Sequence, residues 1–143
     1  MGSLVAVPRR GHLLKGRQEG VLKDFEHKAA YLMGVALPAL EVARRRTDFS
    51  TISGYVDDFI VGGLLLLAAS LVSRGHPRGR AALVAAWGIL CGGFYNSFFG
   101  QLASGRPTDV SGLPSAIVIA VKGALYCVAL FALYRSVHRI GDR

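Results

Sequence analysis

Apolar positions in this chain gather into blocks long enough to cross a hydrocarbon core, which takes roughly 20 residues of helix, and most Lys and Arg lie between those blocks. The clearest block runs from Ile52 to Val72 and contains the unbroken apolar stretch from Ile60 to Ala69. Ala81 to Ala103 forms a second and Leu113 to Tyr134 a third. A weaker block, Ala29 to Ala43, has only about 15 residues, short of a normal span. Extending it back through Phe25 and Leu22 brings in Lys23, Asp24, Glu26 and Lys28. It reads as a crossing helix with an amphipathic, interfacial first half; a surface-lying helix beside three spans is the alternative.

The connections are short and rich in helix breakers: Arg74-Gly75-His76-Pro77-Arg78-Gly79-Arg80, then Gly105-Arg106-Pro107-Thr108-Asp109. Short loops join antiparallel neighbours, so the pattern predicts an all-α integral membrane protein, an up-down four-helix transmembrane bundle. Its spans are expected at about 22–43, 52–72, 81–103 and 113–134, within a single domain over 21–135. A flexible basic tail is expected over 1–20 and a short basic tail over 136–143. Pro38 falls inside the first span one turn after Gly34, whose carbonyl it deprives of a helical partner, so a kink is predicted there.

Composition supports this class. The chain is 52% hydrophobic and 18% charged, with a mean hydropathy of +0.40, on the apolar side of globular usage. Its 143 residues leave room for one domain and no appended soluble enzyme. The net charge of +8 requires no nucleic-acid partner; basic residues flanking the spans meet anionic lipid headgroups. With four spans, Arg9, Arg10, Lys15, Arg17, Lys23, Lys28, Arg74, Arg78, Arg80, Arg135, Arg139 and Arg143 share one side, and Arg44, Arg45, Arg46 and Arg106 the other. The positive-inside rule then puts both termini in the cytoplasm of a multi-pass cell-membrane protein. If the first block does not cross, the three-arginine cluster joins the amino terminus and the bias nearly vanishes. No apolar stretch of signal-peptide kind precedes Ala29, and the sixth residue, Ala6, is not the Ser or Thr of a myristoylation motif.

Candidate chemistry lies in the polar groups that the spans retain, because an ionisable residue at a membrane-helix centre costs about 2.5–3.5 kcal/mol on insertion scales. These are Glu41, Asp57, Asp58 and Lys122, with the sole asparagine, Asn96, followed by Ser97 and Gln101. Asp58 is six residues from the start of its span, Asn96 seven from the end of the next, and Lys122 nine from the start of the last. In an antiparallel bundle all three depths are measured from the extracytoplasmic face, and Glu41 joins them there. Helical side chains tilt toward their own amino terminus, which aims Lys122 and both aspartates outward and Glu41 inward. Asp57 points about 100° away from Asp58, so Asp58 is the one expected inside and Asp57 nearer headgroups or Arg44 to Arg46. Gly54, Asp58 and Gly62 share one helical stripe, and Gly88, Gly92, Asn96 and Gly100 another. Small residues at this spacing let helices approach closely, and the two stripes are expected to face each other.

Catalytic signatures are missing. The chain has no Walker loop, Gly-x-Gly-x-x-Gly, His-Glu-x-x-His or Cys-x-x-Cys motif. No catalytic residue, cofactor or metal ligand is assigned; His12, His27, His76 and His138 all fall outside the spans, without the mutual spacing of a metal site. Cys91 and Cys127 lie at similar mid-membrane depth and read as small apolar groups. Phe94, Tyr95, Phe98 and Phe99 pack against lipid or a partner, or wall an apolar pocket. Three functions follow. The first is a proton- or ion-coupled transporter or ligand-binding protein, with Asp58 or Glu41 taking the cation and Lys122 as countercharge. The second is a noncatalytic membrane subunit or scaffold, partnered by its own copies or another membrane protein. The third, an enzyme acting on a lipid or quinone, has no nucleophile to support it.

Overall fold

The computed structural model describes residues 25–45, 52–109 and 111–141. Among these residues there are four helices: α1 Phe25–Arg45, α2 Ile52–Ser73, α3 Gly79–Ala103 and α4 Ser115–Gly141. Three segments, Val56–Ser73, Gly79–Ala103 and Ser115–Ile140, are long and apolar enough to cross a membrane. Helix α1 is not among them; Glu26, Lys28, Glu41, Arg44 and Arg45 put charge near both of its ends. The expected tail over 1–20 lies outside the described residues, as does Arg46. Residues 136–141, expected as part of a tail, instead continue α4. Within this last stretch Ser136 Oγ donates to the Ala132 carbonyl at 2.8 Å, and Arg139 pairs with Glu26.

Each helix runs antiparallel to the one before it. The Tyr31 hydroxyl of α1 lies 3.2 Å from Ser73 Oγ at the end of α2, while Gly34 and Pro38 meet Gly62 further up. The start of α3 abuts the end of α2, where a Cβ on Gly79 would stand 2.8 Å from the Leu71 backbone. The chain makes that turn through Gly75, at φ 67°, with His76 N–H bonded to the Leu71 carbonyl and Gly75 N–H to that of Val72. This is a Schellman ending, and it needs the left-handed residue that glycine supplies. Helix α4 lies along α3 and returns to α1 where α1 begins, with the Phe25 and Phe131 rings 5.5 Å apart.

The core is an apolar layer across mid-bundle. Trp87 and Leu65 are its largest fully buried side chains, joined by Ala30 and Met33 of α1, Ala68 and Ala69 of α2, Ala86 of α3, and Ala129 and Ala132 of α4. Alanines on every helix leave room for one indole. Outside, the surface is apolar: Leu32 is 72% exposed, and Val35, Ile60, Leu67, Ile89, Val121 and Phe131 are also exposed. Apolar side chains face outward while Glu26, Glu41, Asp58 and Lys122 are buried or half-buried, the arrangement a hydrocarbon solvent favours.

The two glycine stripes do not meet as expected. Gly62 faces α1, since a Cβ there would lie 2.7 Å from the Gly34 carbonyl oxygen and 2.8 Å from Pro38 Cγ. Gly88, Gly92 and Gly100 face open space; the surroundings of Gly54 lie outside the described residues. Small residues permit close approach but supply few atoms for dispersion contact. Helix α3 instead turns the bulkier edge Leu83, Trp87, Leu90 and Phe94 inward. The Gly34 carbonyl that Pro38 leaves without a helical donor is the oxygen set against Gly62, and α1 continues through Pro38 as one helix.

Replacing Gly62 by Leu drives a side chain into the Gly34 carbonyl and is expected to destabilise the protein by about 1–3 kcal/mol, as overpacking does. Gly92→Leu, on the open face, should stay within about 0.5 kcal/mol. Melting of the two variants in detergent, followed by helical circular dichroism, checks the contrast; equal losses would contradict it.

Candidate ligand-binding cavity

Above the apolar layer the four helices part around a cavity of about 760 Å³. Each helix delivers polar groups to it from the half that lies at this end: Glu41 from the last turns of α1, Asp57 and Asp58 from the first turns of α2, Asn96 and Ser97 from α3, and Lys122 from α4. Between them lie apolar walls that include Leu37, Val61, Leu90, Phe94, Val118 and Leu125. Of the six residues singled out in the sequence as ligand-binding, five line this one space. The sixth, Gln101, does not; its Nε2 lies 3.5 Å from Ser115 Oγ, tying the end of α3 to the start of α4.

Depth within the cavity differs among these groups. Glu41 is only 8% exposed, Asp58 and Lys122 are half-buried, and Asp57 and Asn96 are exposed at the rim. Asp57 therefore shares the cavity with Asp58 rather than turning wholly away. The side chains of Arg44 and Arg45, and all of Arg46, lie outside the described residues. Glu41, Asp58 and Lys122 are each engaged by a neighbouring group, as charges this far from bulk water must be. Three carboxylates face one ammonium among the lining residues, so the charge within the walls leans negative.

Ser111 also lines the cavity and was not singled out in the sequence. It is held by Asp109, whose Oδ2 accepts from Ser111 N–H at 3.2 Å and from Ser111 Oγ at 2.9 Å. Asp109 N–H bonds in turn to the Leu113 carbonyl at 2.9 Å, and Gly112 sits at φ 79°. The available signal was the Asp-x-Ser spacing, an Asx turn that folds a loop back on itself.

The aromatic cluster divides. Phe94 is buried and walls the cavity; Phe98 packs on α4, where a Cβ on Gly123 would be 3.1 Å from its ring. Tyr95 and Phe99 face outward. Both thiols are free, Cys91 buried and Cys127 exposed. His76 is exposed in the loop between α2 and α3, and the exposed His138 ring lies 5.5 Å from Tyr134. Among the described residues no group of three or more His, Cys, Asp or Glu is placed to hold a metal ion.

The arrangement can hold a small molecule with one apolar and one polar end, or a cation between carboxylates. Its volume falls within the roughly 300–1,000 Å³ of ordinary ligand sites. No family model, curated protein or solved structure matches the chain.

Lys122 is the only cation among the lining residues, so Lys122→Met leaves the carboxylates to repel one another. It is expected to destabilise the protein by about 1–3 kcal/mol, and Asp58→Asn in the same chain to recover most of that loss. Denaturation of the two single variants and the double variant in detergent tests this, and simple additivity would show that the two side chains are not coupled.

Proposed function

We propose that this chain is a polytopic membrane protein whose four helices all cross the bilayer, both termini lying in the cytoplasm, and whose cavity binds a small amphiphilic solute from the opposite side. Ion-coupled transport extends the same reading: Glu41 and Asp58 take a proton or cation, and Lys122 is the countercharge that it displaces. One observation carries the proposal, the convergence of Glu41, Asp58, Asn96 and Lys122 from four different helices on one cavity. If polar residues served only to bind helices together, each would be expected at its own helix interface.

Crossing by α1 is supported by its packing. It lies along α2 from Tyr31 at one end to Pro38 and beyond, and its 21 residues reach about 30 Å at 1.5 Å each. Its exposed Leu32, Val35 and Leu40 suit lipid. Charge at the carboxylates gives the ligand class: a positively charged or proton-donating group meets the acids while its apolar part rests on Leu90, Phe94 and Leu125.

Single cysteines replacing Thr47, Asp58, His76, Asn96, Thr108 and Lys122, in a Cys91→Ala, Cys127→Ala background, test topology and cavity together. An impermeant maleimide applied to intact cells is expected to label every position except 76. Labelling at 76 from outside removes the four-span topology. Inertness of 58, 96 and 122 from both sides makes the constellation a dry structural core and removes the binding reading.

A further inference from the structure

Below the apolar layer, at the opposite end from the large cavity, the four helices enclose a second hollow of about 360 Å³. Its polar wall consists of Glu26 and His27 of α1, Ser73 of α2, Arg80 of α3, and Ser136 and Arg139 of α4. All six lie within about two turns of a helix end, the level at which a membrane protein meets headgroups.

Much of the hydrogen-bonding capacity here is already used. Ser136 Oγ donates to the Ala132 carbonyl at 2.8 Å and Ser73 Oγ to the Ser70 carbonyl at 3.0 Å. Arg139 Nη1 pairs with Glu26 Oε1. Arg80 Nη1 donates at 3.3 Å to the Arg139 carbonyl, one of the last-turn carbonyls that a helix leaves unbonded. A guanidinium carries five N–H donors, and neither Arg80 nor His27 has any further partner among the described residues. Donors are therefore in surplus in the hollow. Glu26, in the same lining, is 4% exposed, and its Oε2 is buried with no hydrogen-bond partner. A buried carboxylate oxygen without a donor is costly.

Two guanidinium groups and one carboxylate leave a net positive charge, the reverse of the acid-rich cavity above. We propose that this hollow binds a phosphate group with a hydrogen-bond donor beside it, the chemistry shared by a phosphoethanolamine headgroup and monohydrogen phosphate. Phosphate oxygens accept from Arg80 and His27, a guanidinium fork matching phosphate geometry. The donor, ammonium or hydroxyl, serves Glu26 Oε2. Arg139, held by Glu26, supplies the second positive charge.

The full chain, purified in detergent, is titrated with phosphatidylethanolamine and with phosphatidylcholine of identical acyl chains, retention being read by native mass spectrometry. Inorganic phosphate is titrated separately by calorimetry. Ethanolamine lipid should be retained roughly tenfold better than choline lipid, whose headgroup has no N–H donor, and Arg80→Gln should lower that retention roughly tenfold. Glu26→Gln should erase the preference between the two lipids, while Arg74→Gln, on the exposed loop outside the hollow, changes nothing. Should Arg80→Gln fail to fold, Arg80→Lys keeps the charge, removes the fork and should fall between. Binding of inorganic phosphate alone, dependent on Arg80, sustains the chemistry and makes the source a soluble ion. Equal retention of both lipids with no phosphate binding overturns the proposal, as does an Arg74→Gln loss as large as that of Arg80→Gln.

Discussion

Helix α1 is fastened to α2 where backbone meets backbone. Pro38 withholds the N–H that the Gly34 carbonyl would take, and that oxygen lies against Gly62, at a distance no side chain would allow. Contacts of this kind, with a Cα–H turned toward a carbonyl, are individually weak. In lipid they count for more, because no hydrophobic force drives one apolar helix onto another. The helix held this way is the least apolar of the four, and it supplies a buried carboxylate at each end of the bundle: Glu26 below and Glu41 above.

The rest of the architecture follows from dividing each helix into three zones. On α1 the order is Glu26 and His27, then Ala30 and Met33, then Leu37 and Glu41; on α3 it is Arg80 and Leu83, then Ala86 and Trp87, then Leu90 and Phe94. Helices α2 and α4 repeat the scheme, through Ser73, Leu65 and Asp58 and through Arg139, Ala132 and Lys122. Polar groups thus occupy two hollows, one at each end, and an apolar layer separates them. The apolar layer keeps the charges of the acid-rich and arginine-rich ends out of direct contact with each other.

How much of this was legible in the sequence depended on how local the signal was. Unbroken apolar runs located α2, α3 and the first part of α4, and depth counting from the span ends was enough to bring Asp58, Asn96 and Lys122 to one level. Counting also worked for Glu41, although its helix is only weakly apolar. The glycine pattern misled, because spacing marks where two backbones are able to approach and carries no information about which neighbour arrives; Gly62 met α1, and Gly88, Gly92 and Gly100 met nothing. The end of α4 was lost because its last turns are basic and read as solvated. Glu26, far away in sequence, pairs with Arg139 in those turns. Gln101 lies five residues beyond Asn96, about 7.5 Å nearer the end of α3, where it meets Ser115 instead of the cavity.

Trp87 is the chain's single tryptophan, fully buried, with an indole N–H that meets no acceptor. It stands in the apolar layer, between Leu83 of the lower hollow and Leu90 of the upper cavity. Excitation at the long-wavelength edge of indole absorption, which spares the five tyrosines, therefore interrogates one place, the seal between its two ends. An indole so shielded emits at short wavelength, and water reaching the layer through either hollow would move the emission to the red and expose the ring to quenchers. The molecule carries its own optical gauge of whether its two ends are ever in communication.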